Sequence, residues 1–145
     1  MIPGPVPYQA TSGVPRVIGT LQCTVLDCSE PAELARFYAA LLGGEIDRPD
    51  RRWATDEGWS TLHVPDGSVL CFQRIPDYRP PRWPDPAHPP QLHLDIGVPD
   101  LDAAESVLLA AGGRLLSGGD GTQPWRVYAD PAGHVLCLVR EAPAT

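Results

Sequence analysis

The sequence predicts an α+β fold: two tandem β-α-β-β-β modules forming a cupped, mostly antiparallel eight-stranded sheet with both helices outside. Two observations carry that expectation. The stretch GSVLCFQR, Gly67 to Arg74, returns sixty-six residues later as GHVLCLVR, Gly133 to Arg140, with five of eight positions identical. The segments Thr24–Ile46 and Leu94–Leu116 also align without gaps at a spacing of seventy. Each reads strand, acidic turn, helix, Gly-Gly, strand. Neither half covers both faces of its own sheet, so the two units are expected to pair around a shared core.

In the first copy, Ser29 is the expected N-cap and Pro31 falls in the first helical turn, where its missing N–H does no harm. Leu34, Phe37, Tyr38 and Leu41 make an apolar stripe at helical spacing, and Gly43 stops the helix. Strands follow at Glu45–Asp47, Trp59–Val64 and Ser68–Gln73, the last two joined by the turn PDG. The second copy caps with Asp100, buries Leu101, Ala104, Val107, Leu108 and Ala111, and stops at Gly112-Gly113. Its strands are expected at Arg114–Leu116, Trp125–Ala129 and His134–Val139, with DPAG as the closing turn.

The length of 145 residues suits one domain. Residues 1–16, rich in Pro and Gly, read as a flexible arm, and 17–140 as a single domain. Within it, module one is 17–74, a proline-rich connector 75–90, and module two 91–140. The connector carries seven prolines and is expected to run extended, as a spacer or as a lid offering Tyr78 and Trp83.

A formal charge of -7 leaves no basic patch for a phosphate backbone, so no nucleic-acid partner is expected. The positive residues are all arginine, which removes Schiff-base lysines and P-loops. No apolar run is long enough to span a membrane. The first residues lack the basic and apolar regions of a secretory signal. The four cysteines have no CxxC spacing and read as reduced thiols of a cytoplasmic protein.

Alternation in QLHLDIGV sends Leu92, Leu94, Ile96 and Val98 toward the helix and His93 and Asp95 to the opposite face. That opposite face is either plain surface or the lining of a cleft. In the cleft reading, His93 and Asp95 are the catalytic or ligand-orienting pair. Cys23, Cys71, Gln73 and Cys137 line the same concavity, with Trp59, Trp83 and Trp125 as flat walls. His63 reads as a strand-end surface residue, His88 as solvated, and His134 as bonding locally. Three cysteines and His93 match the ligand types of a closed structural zinc site, and a Cys–His nucleophilic dyad is a further alternative. Cysteines flanked by Val and Leu are also ordinary core residues.

The paired modules, the helix ELARFYAALLG and the hairpin DPAGHVLCL are similar to those of the vicinal oxygen chelate superfamily. That superfamily holds glyoxalase I, extradiol dioxygenases, fosfomycin-inactivating transferases and bleomycin-binding proteins. The resemblance runs over Val17–Arg140, and the connector resembles that of the glyoxalase-like subgroup. It implies chelating positions on the first and last strand of each module, held here by Cys23, Cys71, His93 and Cys137. Only His93 conforms to the family's His, Gln or Glu pattern, so the expectation is no metal and no cofactor. The implied function is a small-molecule-binding protein of the glyoxalase/bleomycin-resistance type, holding or sequestering an organic natural product or metabolite. The alternative is a lyase or isomerase using His93 and Asp95, with or without a divalent metal. A homodimer is the implied assembly.

Overall fold

The computed structural model describes residues 17–53 and 56–142, so the arm assigned to residues 1–16 lies outside the described residues. The first module contains β1 (Thr24–Cys28), α1 (Pro31–Leu42), β2 (Glu45–Ile46), β3 (Trp59–His63) and β4 (Val69–Arg74). The second contains β5 (Leu94–Val98), α2 (Leu101–Ala110), β6 (Arg114–Ser117), β7 (Trp125–Ala129) and β8 (Val135–Arg140). The element order is the one the repeat implies, twice over.

The eight strands hydrogen-bond as two sheets of four, in the orders β1-β4-β3-β2 and β5-β8-β7-β6. In each sheet the first strand runs parallel to the last, and the other pairings are antiparallel. β1 and β5 are therefore edge strands. They do not join into one continuous sheet, because a cavity walled by the connector opens between them. Each helix covers one face of its own sheet, and the two helices also pack against each other. Phe37 of α1 reaches the second module so closely that a Cβ on Gly113 would lie 3.0 Å from its ring. One apolar cluster results, running from Leu26, Leu34 and Phe72 to Leu108, Tyr128 and Leu138.

Local signals were met with two adjustments. α1 starts at Pro31 with Glu30, not Ser29, in the cap position and no side-chain cap. Pro31 has no N–H to satisfy, which reduces the need for one. Gly43, at φ 70, ends α1 by donating its N–H to the Ala39 carbonyl. Asp100 caps α2 as expected, accepting from the Ala103 N–H at 2.9 Å. Val107, expected inside, is 46% exposed. At 100° per residue it sits about 120° around the helix from Leu101, outside the stripe that Leu101 and Leu108 bury.

A polar contact crosses between the modules inside this core. The Tyr38 hydroxyl of α1 donates to Asp130 Oδ2 at 2.7 Å, and both residues are buried. The same oxygen meets His134 Nδ1 at 2.7 Å, while Oδ1 accepts from the N–H groups of Ala132 and His134. A carboxylate removed from water is tolerable only with its acceptor sites filled, and here four donors fill them. Burial, followed by the charge of Asp130, holds the Tyr38 hydroxyl well above the ordinary phenol range, so it stays a donor. Asp130→Ala strands the Tyr38 hydroxyl and the Ala132 and His134 amides at once. It is expected to lower stability by about 3 kcal/mol, read as a lower urea midpoint with an unchanged slope.

Candidate functional site

Strand alternation on β5 places Leu94, Ile96 and Val98 against the core and Asp95 on the other face, with His93 just ahead of the strand beside Asp95; Leu92, expected on the core side, precedes the strand and is 60% exposed. His93 Nε2 lies 3.3 Å from Asp95 Oδ1, and the side chains are 53% and 62% exposed. The parallel register of β5 and β8 sets Asp95 directly beside Cys137. One ligand atom from each of His93, Asp95 and Cys137 falls within 4.8 Å of the others. Burial, then the charge of Asp95, raises the half-buried Cys137 thiol above its usual range. Trp125, 46% exposed, sits on the same face of the adjacent β7, opposite Val139.

The first sheet carries a different assembly. Cys71 is fully buried on β4, beside Val25 of β1 and Thr61 of β3. Burial and the neighbouring Cys23 thiol push the Cys71 thiol up to about 12. Arg52 forks onto Asp50, with Nη2 at 2.7 Å and Nε at 3.0 Å, and lies over the Trp53 ring at 4.2 Å. That hydrogen bonding holds the Asp50 carboxyl well below the usual carboxylate range. Asp50 in turn meets His63 Nε2 at 3.2 Å. His63, expected at the surface, is buried, because Trp53 packs edge-on against its ring and the Asp50–Arg52 pair lies over its outer nitrogen. Trp59, Thr61 and His63 share one face of β3, and the Trp59 Nε1, Thr61 Oγ1 and His63 Nδ1 atoms are buried without partners.

The residues expected to line one concavity are thus divided between two sheets. Cys71, Gln73 and Trp59 belong to the first, with Cys23 just ahead of β1, and Asp95, Cys137 and Trp125 to the second, with His93 just ahead of β5. Among the described residues, Cys23 and Cys71 do not join the His93 group. Trp83 stands apart, in a hollow with Arg114, Leu116 and Pro131.

The chelate that the resemblance implies does not fit these residues. Its four positions lie two and two on separate sheets. Three of the four are thiols rather than the His, Gln or Glu of the implied pattern, and Cys71 is fully buried under its neighbours. The Arg52 guanidinium already places a fixed positive charge by Cys23 and Cys71. Of the four positions, only His93 and Cys137 come together among the described residues, and their neighbour there is Asp95 rather than a third member of the set.

Of the two residues the connector was expected to offer as a lid, Tyr78 reaches a cavity beside the site and Trp83 does not. A cavity of about 370 Å³ lies between β1, the connector and the start of β8. Tyr38, Tyr78, His93 and His134 all reach it. The Tyr78 hydroxyl donates to the Ala132 carbonyl at 2.9 Å and meets His134 Nε2 at 3.2 Å, which extends the Asp130 network to the cavity wall. The Asp130–His134 spacing within DPAGH was the available signal, but nothing local in the sequence pairs Tyr78 with it.

Comparison with known proteins matches residues 23–139 to the family profile described as glyoxalase-like domain. No curated protein sequence matches significantly. Among solved structures, a glyoxalase-related enzyme from Fulvimarina pelagi is 19% identical, with 84% of this chain and 89% of that one covered and a TM-score of 0.56. A glyoxalase/bleomycin resistance protein/dioxygenase family enzyme from Burkholderia phytofirmans is 14% identical over 82% and 96%, at 0.61. The fosfomycin resistance protein FosX from Listeria monocytogenes is 11% identical over 88% and 97%, at 0.62. At these identities the solved structures share the fold.

A thiol raised to about 12 is protonated throughout the neutral range and becomes nucleophilic only as pH climbs toward that value. Cys71 is therefore expected to resist iodoacetamide in the folded protein at pH 8 and to react fully in urea, as followed by peptide mass spectrometry.

Proposed function

The chain belongs to the glyoxalase-like domain family, and on that premise we propose that it binds a small organic molecule through His93 and Asp95 without a metal. The observation supporting this reading is the contact between those two side chains beside Cys137, on the face of β5 that the core leaves free. The Asp95 carboxylate, with Oδ1 3.3 Å from His93 Nε2, favours the proton on that nitrogen and leaves Nδ1 as an acceptor for the ligand. Cys137 and the Trp125 ring supply neutral, polarisable surface beside it. Such a patch suits an oxygenated aromatic compound of the natural-product kind, held or sequestered as the names of the bleomycin and fosfomycin resistance relatives suggest.

The same contact favours a second reading, a lyase or isomerase. An exposed imidazole with a carboxylate beside it is a competent general base. The two readings separate on kinetics. In a binder, Asp95→Asn changes affinity; in an enzyme, it lowers turnover more than affinity.

The division of the expected lining between two sheets supports a homodimer, in which the second copy sets its Cys23–Cys71 face opposite His93. Light scattering is then expected to give twice the chain mass of 15.6 kDa. In calorimetric titrations against aromatic natural products, His93→Ala and Asp95→Ala should each weaken a bound compound about tenfold or more. The exposed control Val107→Ala should match the parent. Parent-like binding by both site variants would remove His93 and Asp95 from the site.

A further inference from the structure

The cavity between β1 and the connector carries charges that nothing in the fold uses. Its apolar surface comes from Val25, Leu92 and Leu94 with Pro80 and Pro90 of the connector. Four ionisable groups besides the His134–Tyr78 wall reach it: Asp27, Arg79, His88 and His93. Two of these are already matched, since His88 pairs with Asp85 at 3.1 Å and His93 with Asp95 at 3.3 Å. Asp27 and Arg79 are not. Neither has an ion-pair partner among the described residues, and they do not pair with each other. One carboxylate and one guanidinium, each without an ion-pair partner among the described residues, therefore line a single, mostly apolar open cleft, from β1 and from the connector.

The cleft wall between them is built firmly. Tyr78, adjacent to Arg79 in the chain, is tied to the Ala132 carbonyl and to His134, and His134 to the buried Asp130. Burial and the charge of Asp130 push the Tyr78 hydroxyl up to about 12, so it stays neutral and does not compete for the positive end of a ligand. Prolines restrict the connector's backbone. A wall held in place this way reduces the ordering cost of binding.

We infer that this cavity is a second binding site, for a zwitterion with a flat apolar body: the class of free aromatic α-amino acids. The ligand's carboxylate meets Arg79, its ammonium meets Asp27, and its ring lies against the prolines and Val25. The volume of about 370 Å³ is near the lower end of the range of small-molecule pockets, roughly 300–1,000 Å³, as a ligand of that size requires. The site shares His93 with the face proposed above but includes neither Asp95 nor Cys137.

The test is calorimetric titration of the full chain with L-phenylalanine, its amide, which lacks the carboxylate, and its N-acetyl derivative, which lacks the ammonium. Phenylalanine should bind about tenfold or more tightly than either analogue. Arg79→Gln should weaken phenylalanine about tenfold and leave the amide unchanged, while Asp27→Asn should weaken phenylalanine and leave the N-acetyl derivative unchanged. Both side chains are exposed, so neither change disturbs the core. Asp95→Asn should leave phenylalanine binding intact; this variant separates the present site from the one proposed above. Equal binding of all three compounds, no binding of phenylalanine at about 10 mM, or its loss in Asp95→Asn would each overturn the inference.

Discussion

The hydrogen bond from Tyr38 to Asp130 is the point on which the two halves of this protein depend. It joins the helix of one module to the closing turn of the other at 2.7 Å inside the shared core. Apolar contacts between α1 and α2 tolerate sliding, because packing against a neighbouring helix has several near-equivalent solutions. A buried carboxylate with four donors has one. Any displacement of α1 from the Asp130 turn leaves unmatched polar atoms in the core, at about 1–3 kcal/mol each. The phenol that makes the bond also stacks on Phe72 of its own sheet, so the register reaches both sheets.

That register decides where the chemistry can be. With α1 and α2 in contact and their apolar stripes turned to one core, the other face of each sheet is left with the duplicated positions. Cys23 and Cys71 come out on one sheet, His93 and Cys137 on the other. The duplication that wrote VLC twice has thus produced two unlike faces. One is closed over by Asp50, Arg52 and Trp53 above buried polar atoms of β3. The other is open, with its histidine and aspartate more than half exposed.

Much of the fold was legible because it was repeated. The strand-helix-strand grammar, the Gly-Gly stops and the Asp100 cap each rest on neighbours within a few residues, and these were met; the alternation of QLHLDIGV held from Leu94 to Val98, whereas Leu92, ahead of β5, is 60% exposed. Ser29 failed as a cap for an equally local reason: Pro31 takes the first helical position, so the cap falls on Glu30. The failures of reach were different. Nothing near His63 announces that Asp50 and Trp53 fold over it, and nothing near Trp83 places it beside Arg114. The link from Tyr38 to Asp130 spans ninety-two residues. At the candidate site, the closeness of His93 and Asp95 was readable, since the two are two residues apart at the start of β5. The separation of Cys23 and Cys71 from it was not, since alternation gives the face of a strand and not how two sheets are turned.

The central claim is that the open face at His93 works by hydrogen bonding and neutral surface rather than by chelation. Zinc competition against a chromophoric chelator, followed by X-ray absorption on any retained metal, tests it most directly. The account predicts well under one equivalent of zinc retained at neutral pH, with no sulfur in the first coordination shell. One tightly held equivalent, with a zinc–sulfur distance of about 2.3 Å that disappears in Cys137→Val, would contradict it.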